Sequence, residues 1–201
     1  MCVTARCAEI CRRNVTFRAC FLRKLWGSVA AMSRTLLPDS CPPLQLREIE
    51  RKFLLSGPPP ALRRCHSALL IQGYLCHENG RGHVRVREVR DERYSGSEYY
   101  LTVKKREGMV RNEVNVPLSR DSFDALWAFT AGHRLRKRRH YLPHRRLLIE
   151  VDVFEGVNAG LIVAEVEFRD EACACRFVPP AWFGREVTKD AAYRNIALAT
   201  E

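Results

Sequence analysis

The sequence predicts a mainly β (α+β) protein, an eight-stranded antiparallel β-barrel with flanking helices and a helix at its C-terminal end. Three observations predict it. From residue 47 onward the dominant hydrophobic period is two, the period of a strand with unlike faces. Eight such stretches occur, most of them separated by short Gly, Pro or Asn turns. Only two segments, Ser119–Thr130 and Asp190–Thr200, break the alternation in favour of a helical period.

In chain order, Arg47–Leu54 sets Glu48, Glu50 and Lys52 on one face and Ile49 and Phe53 on the other, and Ser56-Gly57-Pro58-Pro59-Pro60 ends the strand. A second, apolar strand runs over Ala68–Cys76 and turns at Glu78-Asn79-Gly80. His83–Arg87 alternates again, with Arg85 and Arg87 together. Glu98–Lys105 groups Tyr100, Thr102 and Lys104, and Gly108 turns the chain into Val110–Val116, which carries Glu113. Ser119, with Asp121 and Ser122, is placed to cap a helix whose apolar face is Phe123, Leu126, Trp127 and Thr130. Three further strands follow: Leu135–Leu142 with Lys137 and Arg139, Arg146–Phe154 with Glu150 and Asp152, and Leu161–Phe168 with Glu165 and Glu167.

Composition narrows the function classes. The 201 residues are 46% hydrophobic and 28% charged, which excludes a collagen-like or wholly disordered chain. No uncharged apolar run approaches the ~18 residues of a membrane span. The net charge of +11 calls for an anionic partner. Residues 1–44, however, hold seven basic and two acidic residues, so the body carries only +6. That balance argues against nucleic acid, whose binders more often show a one-sided basic patch. We therefore divide the chain into a basic, disordered extension at 1–44 and a folded domain at 45–201. The extension is either the product of a start codon placed too early, with Met32 as the true beginning, or a targeting segment. The nine cysteines include no CxxC pair and no zinc-type spacing, as expected of reduced thiols in the cytoplasm; a mitochondrial or other organellar location follows only if the extension is a targeting segment.

An alternating polar face is ordinarily the solvated one. Here those faces carry charges paired at i, i+2: Glu48/Glu50, Arg85/Arg87, Lys137/Arg139, Glu150/Asp152 and Glu165/Glu167, joined by Lys52, Lys104 and Glu113. The opposite faces hold Ile49, Phe53, Val84, Val86, Leu101, Val103, Val151, Val153, Ala164 and Val166, and helices or loops packed outside the barrel could bury them. The charged faces would then point inward. An eight-stranded barrel has room for side chains or one small ligand, and burying thirteen bare charges would cost several kcal/mol per ion. A wet tunnel holding a polyanion together with divalent cations resolves this. Arg and Lys would grip phosphate oxygens, and clustered carboxylates would hold Mg²⁺ or Mn²⁺. GxxxxGK[ST] does not occur, so the phosphate cradle must be built from side chains.

Glu48-Ile49-Glu50-Arg51-Lys52-Phe53 resembles the ExExK signature of the CYTH superfamily, the triphosphate tunnel metalloenzymes. Further blocks follow in order. They are Gln72-Gly73-Tyr74-Leu75, Arg85/Arg87, Lys104 closing an LTVK strand, Glu113, Lys137-x-Arg139, Glu150–Phe154, Gly160-Leu161 leading to Glu165-Val166-Glu167, Glu186-Val187-Thr188, and Tyr193-x-Asn195. The resemblance spans about 46–199 and is greatest to the short, single-domain bacterial branch. It implies metal-dependent hydrolysis of a phosphoanhydride bond in a tunnel whose mouth the C-terminal helix plugs. Glu50, Glu165 and Glu167 would hold the metal on the triphosphate. Glu48, with Glu113 or Asp152, would serve a second metal or position the attacking water. Lys52, Arg85, Arg87, Lys104, Lys137 and Arg139 would bind the phosphates, with Lys52, Glu48 and Glu113 as the catalytic set. His140 stands where the family usually has Tyr, and Lys189 where Gly often follows EVT.

Inorganic triphosphate is the expected substrate, a small molecule, with a nucleoside triphosphate second. Gln45-Leu46-Arg47 lacks the His-Phe pair that precedes ExExK in class IV adenylate cyclases, and Tyr74, Tyr99 and Trp182 are too scattered to argue for thiamine triphosphate. A non-catalytic module binding polyphosphate or RNA ends would keep the cations and lose the carboxylate pairs, all of which are present here. A homodimer is left open.

Overall fold

The computed structural model describes residues 46–78, 82–107 and 110–201, with side chains for all of these except 46–48, 77–78, 105–107 and 110–112. The expected 1–44 extension and the turns at 79–81 and 108–109 lie outside the described residues. Among the described residues, 46–142 and 149–201 form one compact unit.

Eight strands are present: β1 (Leu46–Leu54), β2 (Ser67–Glu78), β3 (Gly82–Asp91), β4 (Glu98–Glu107), β5 (Val110–Leu118), β6 (Arg134–His144), β7 (Leu147–Phe154) and β8 (Ile162–Phe168). Their hydrogen-bonded order, β1-β5-β4-β3-β2-β6-β7-β8, returns from β8 to β1 as a closed barrel. The hairpin-linked strands pair as expected of their short turns. Closure falls to β1, which changes partner along its length: Leu46–Glu48 pair with β5 at Glu113, Asn112 and Arg111, and Ile49–Leu54 pair with β8 from Phe168 to Val163. One irregularity, between Tyr74 and Cys76, leaves Leu75 as the extra residue of a bulge in β2.

Helices and loops cover parts of the outer wall. The helix α1 (Arg120–Trp127) is capped by Ser119, whose side chain accepts from the Ser122 N–H. It packs on β3 and β4, with the buried Phe123 against Tyr99 (4.8 Å between ring centres) and Trp127 (5.3 Å). A short 3₁₀ turn, Ala128–Thr130, follows it, so the helix of the sequence pattern is tightened over its last residues. A second helix, α2 (Glu171–Arg176), is capped by Asp170 and lies against β1 and β8. After it, Phe177 and Phe183 close on Phe53, with ring centres 6.3 and 4.8 Å away. The expected outside burial therefore holds for Phe53, Val86, Val151, Ala164 and Val166, all fully buried. It does not extend to β4 and β5, where Val103 and Val116 remain 39% and 42% exposed.

The C-terminal end differs from the continuous helix expected over Asp190–Thr200. It forms a 3₁₀ turn, Ala191–Tyr193, then one turn of α3 (Asn195–Leu198), with Arg194 extended between them. The physical reason is that its polar groups bond elsewhere than along a helix axis. The Tyr193 carbonyl accepts from Lys52 Nζ and the Asn195 side chain from Lys137 Nζ, while the Asn158 amide donates to the Leu198 carbonyl. Beyond α3, Ala199 joins a cluster of Tyr74, Leu135, Phe154 and Val163, with Leu54, Leu161, Ile196 and Leu198 packed around it. By strand alternation Leu54, Tyr74, Leu135, Phe154 and Val163 share the faces of Lys52, Gln72, Lys137, Asp152 and Glu165. The inner wall thus turns from charged to apolar where the C-terminal residues pack.

Candidate active site

Alternation and register carry every paired charge to one side of the wall. Lys52 lies opposite Glu165 and Glu50 opposite Glu167 on β1/β8, Glu150 opposite Glu165 on β7/β8, and Lys104 opposite Glu113 on β4/β5. Arg85 lies between Tyr74 and Thr102, and Arg87 between Gln72 and Tyr100.

Two networks result. In the larger one the Arg139 guanidinium forks onto Asp152, with Nε to Oδ1 and Nη2 to Oδ2 both at 2.7 Å. Its Nη2 also reaches Glu165 Oε2 at 2.7 Å, and its Nη1 pairs with Glu150. Lys52 Nζ meets the other Glu165 oxygen at 2.7 Å, and Lys137 Nζ pairs with Asp152. The smaller network joins Lys104 to Glu113, whose Oε1 accepts from Asn115 Nδ2 at 2.6 Å; Asn115 Oδ1 in turn accepts from Thr102 Oγ1 at 2.7 Å. Asp152, Lys137 and Glu113 are 0%, 1% and 2% exposed, so these charges are desolvated and their fields act at low dielectric.

The electrostatics follow from that burial. Desolvation pushes the Glu165 carboxyl upward, but Lys52, Lys137 and Arg139 outweigh it and hold the group well below the usual carboxylate range. Lys52 is likewise opposed by burial and still raised, by Glu165 and Glu50. For Lys137 burial wins: with Arg139 beside it, its pKa falls to about 8 despite Asp152. Burial also raises the Tyr74 hydroxyl, against the pull of Arg85. That hydroxyl accepts from Gln72 Nε2 at 3.2 Å.

Of the residues singled out from sequence, Lys52, Lys137, Arg139, Asp152 and Glu165 interlock in the larger network, and Lys104 and Glu113 form the smaller. Arg85, Arg87, Glu50 and Glu167 share the same inner wall by register. The side chain of Glu48 lies outside the described residues; its backbone pairs with Arg111. Sequence reasoning left Glu150 out of the site set and missed Gln72, Thr102, Asn115 and the Tyr193 carbonyl as site groups. The parity of Gln72, Thr102 and Asn115 along their strands was the signal that could have found them.

The residues fit a divalent cation by their chemistry. Carboxylates directly opposite each other in a sheet repel, and here Glu50 faces Glu167 and Glu150 faces Glu165. Such hard oxygen donors suit Mg²⁺ or Mn²⁺. Among the described residues no three acidic, His or Cys side chains converge as a ready cage, since Asp152, Glu150 and Glu165 are turned onto Arg139 and the lysines. Among the described residues, no helix is long and apolar enough to cross a membrane.

No protein-family model matches the chain. Among curated proteins it is 40% identical over 156 residues to an inorganic triphosphatase of Nitrosomonas europaea, covering 77% of this chain and 97% of the relative. It is 33% identical over 156 residues to an inorganic triphosphatase of Acetivibrio thermocellus, covering 76% and 92%. Among solved structures it superposes on the crystal structure of an inorganic triphosphatase with a TM-score of 0.57 at 37% identity, covering 78% of this chain and 96% of the other. A relative this similar over nearly its whole length settles the membership: the chain belongs to the family of inorganic triphosphatases.

Proposed function

We propose that this chain is a divalent-metal-dependent hydrolase of the short, single-domain branch of the CYTH superfamily, acting in the cytoplasm. It cleaves inorganic triphosphate with one water to pyrophosphate and phosphate. The observation that carries this reading is the interlocked set of buried opposite charges on the inner wall, with Lys52, Lys137 and Arg139 against Asp152 and Glu165. A wall built only for stability would gain little from such pairs, because apolar replacements of similar volume are commonly as stable. A wall that exchanges partners on binding has a use for them.

Phosphate oxygens take over the cations of Lys52, Arg85, Arg87, Lys104, Lys137 and Arg139, with Arg as a two-pronged donor. The carboxylates of Asp152 and Glu165, with those of Glu50, Glu167 and Glu48, would hold Mg²⁺ or Mn²⁺. The charge balance supports this: six cations face seven carboxylates on the same side of the wall, those of Glu48, Glu50, Glu113, Glu150, Asp152, Glu165 and Glu167, so a polyanion needs added counterions. A bound divalent cation would neutralise the charge spread over the transferring phosphoryl group. The chain's own residues orient the triphosphate, and Glu113 or Glu48 aligns the attacking water.

Phosphate release from triphosphate, pyrophosphate, ATP and thiamine triphosphate, compared side by side with Mg²⁺ and Mn²⁺, tests this. Triphosphate should be preferred, EDTA should abolish turnover, and Lys52→Ala and Glu167→Ala should each abolish it while the protein stays folded. Full activity in EDTA or in the Glu167 variant overturns the mechanism. Tight binding without phosphate release would make the chain a binding module instead.

A further inference from the structure

We propose that Asn195 is a positioning residue that aims the Lys137 ammonium at the substrate, so that the C-terminal segment is a working part of the phosphate site. The inference rests on the reading of Lys137 as a phosphate ligand. An ammonium has three N–H donors. For Lys137 one is engaged by Asp152 and a second points to Asn195 Oδ1 at 3.3 Å, over the Phe154 ring 5.4 Å away. Two acceptors fixed on a tetrahedral nitrogen leave the direction of the third donor determined. The same segment treats Lys52 alike: Glu165 takes one donor at 2.7 Å and the Tyr193 main-chain oxygen another at 3.4 Å.

These two lysines stand on β1 and β6, which are not neighbours in the sheet, since β8 and β7 lie between them. The segment 193–195 thus spans the inner wall and sets both ammonium groups against one frame. That frame is held from both ends. Asp190 caps the turn by accepting from the Ala192 N–H at 3.1 Å, and Arg185 donates to the Tyr193 hydroxyl at 3.2 Å. On the far side Ala199 is buried in the apolar cluster, and Arg134 and Glu201 exchange backbone hydrogen bonds at 3.3 Å. The residue type matters too. A neutral amide oxygen orients a cation without cancelling its charge, whereas a carboxylate at the same place would compete with the incoming phosphate.

The test uses the full chain with Mg²⁺ and triphosphate, reading kcat, KM, equilibrium binding of metal-free triphosphate, and Tm. Asn195→Ala should raise KM about tenfold, the effect of one hydrogen bond to a charged group, with a smaller change in kcat. Asn195→Asp, the same size but charged, should weaken triphosphate binding further than Asn195→Ala does. Both should keep Tm close to wild type. Ile196→Ala, next along α3 but packed on the apolar cluster, should lower Tm and leave KM unchanged. The proposal falls if Asn195→Ala keeps a wild-type KM, if the Asp variant binds as well as the Ala variant, or if Ile196→Ala shifts KM as much. Failure of the wild-type chain to hydrolyse or bind triphosphate overturns the functional reading instead, and this one with it.

Discussion

Arg139→Met is the perturbation that most directly questions the inner-wall network. The side chain contacts three carboxylates, those of Asp152, Glu165 and Glu150. Methionine keeps much of the volume and removes the charge. Taking one partner from a buried ion pair costs about 3–5 kcal/mol, because the charges left behind remain desolvated. Here Asp152 keeps Lys137 and Glu165 keeps Lys52, which places the expected loss toward the lower end, about 3 kcal/mol. For a chain of this size that is a fall in Tm of roughly 6–12 °C. Urea unfolding at pH 7 reads it directly, and pH adds a second signature. Glu165 is held below its ordinary value of 4.5 in part by Arg139, so its share of stability is present above that pH and fades as pH falls through its folded value. Without Arg139 the folded value rises and this share shrinks, so the gap between the two proteins should narrow in acid. Millimolar Mg²⁺ should raise the Tm of the variant more than that of wild type, since three carboxylates relieved of their arginine form a better cation site. A variant as stable as wild type at pH 7 would refute the claim that these charges are mutually compensating.

Other outcomes are as specific. Gly73→Ala should destabilise by about 2 kcal/mol or more, because the new Cβ would stand 2.4 Å from Thr130 Oγ1 and 2.6 Å from its Cβ. Thr130→Gly should then cost less in the Gly73→Ala background than alone, as a double-mutant cycle in urea would measure. Arg51→Ala should lose about 2–4 kcal/mol, read by thermal unfolding, since Arg51 pairs with Glu186, donates to the Ala174 and Phe177 carbonyls at 3.0 Å and lies over the Phe53 ring. For Asp91, burial alone would raise the carboxyl, yet hydrogen bonds from Arg93 and His66 lower it to about 2 from 3.8. Its contribution is therefore present above about pH 4 and lost between about 4 and 2, and Asp91→Asn should lack that part of the acid limb in a stability–pH profile.

The period-two pattern was enough to find all eight strands and to put Lys52, Lys137, Arg139, Asp152 and Glu165 on a common face, because alternation is a local property of each strand. It could not reveal that β1 closes the ring by pairing with β5 and then β8, since that depends on contacts more than sixty residues away in sequence. The helix at Glu171–Arg176 was not visible either: its cap, Asp170, is legible, but six residues are too few for a helical period to show. In the C-terminal stretch the reverse held. The pattern favours a continuous helix, and tertiary hydrogen bonds to Lys52 and Lys137 override it at Arg194. Nor could sequence show which charges pair. Register sets Glu50 against Glu167, but it is side-chain reach that turns Arg139 onto three partners at once.

The stretch 184–188 is bonded edge-on to β1, at the backbone of a residue whose ammonium sits in the larger charge network. The Lys52 N–H donates to Thr188 Oγ1 at 3.0 Å and its carbonyl accepts from the Val187 N–H at 2.8 Å, while its neighbour Arg51 grips Glu186. Anything that pries the 184–188 stretch from the wall, be it a substitution, a crosslink or a docking protein, therefore tugs on the peptide units that seat the Lys52 ammonium. Remote control of turnover, natural or engineered, has a ready handle on the outside of the molecule.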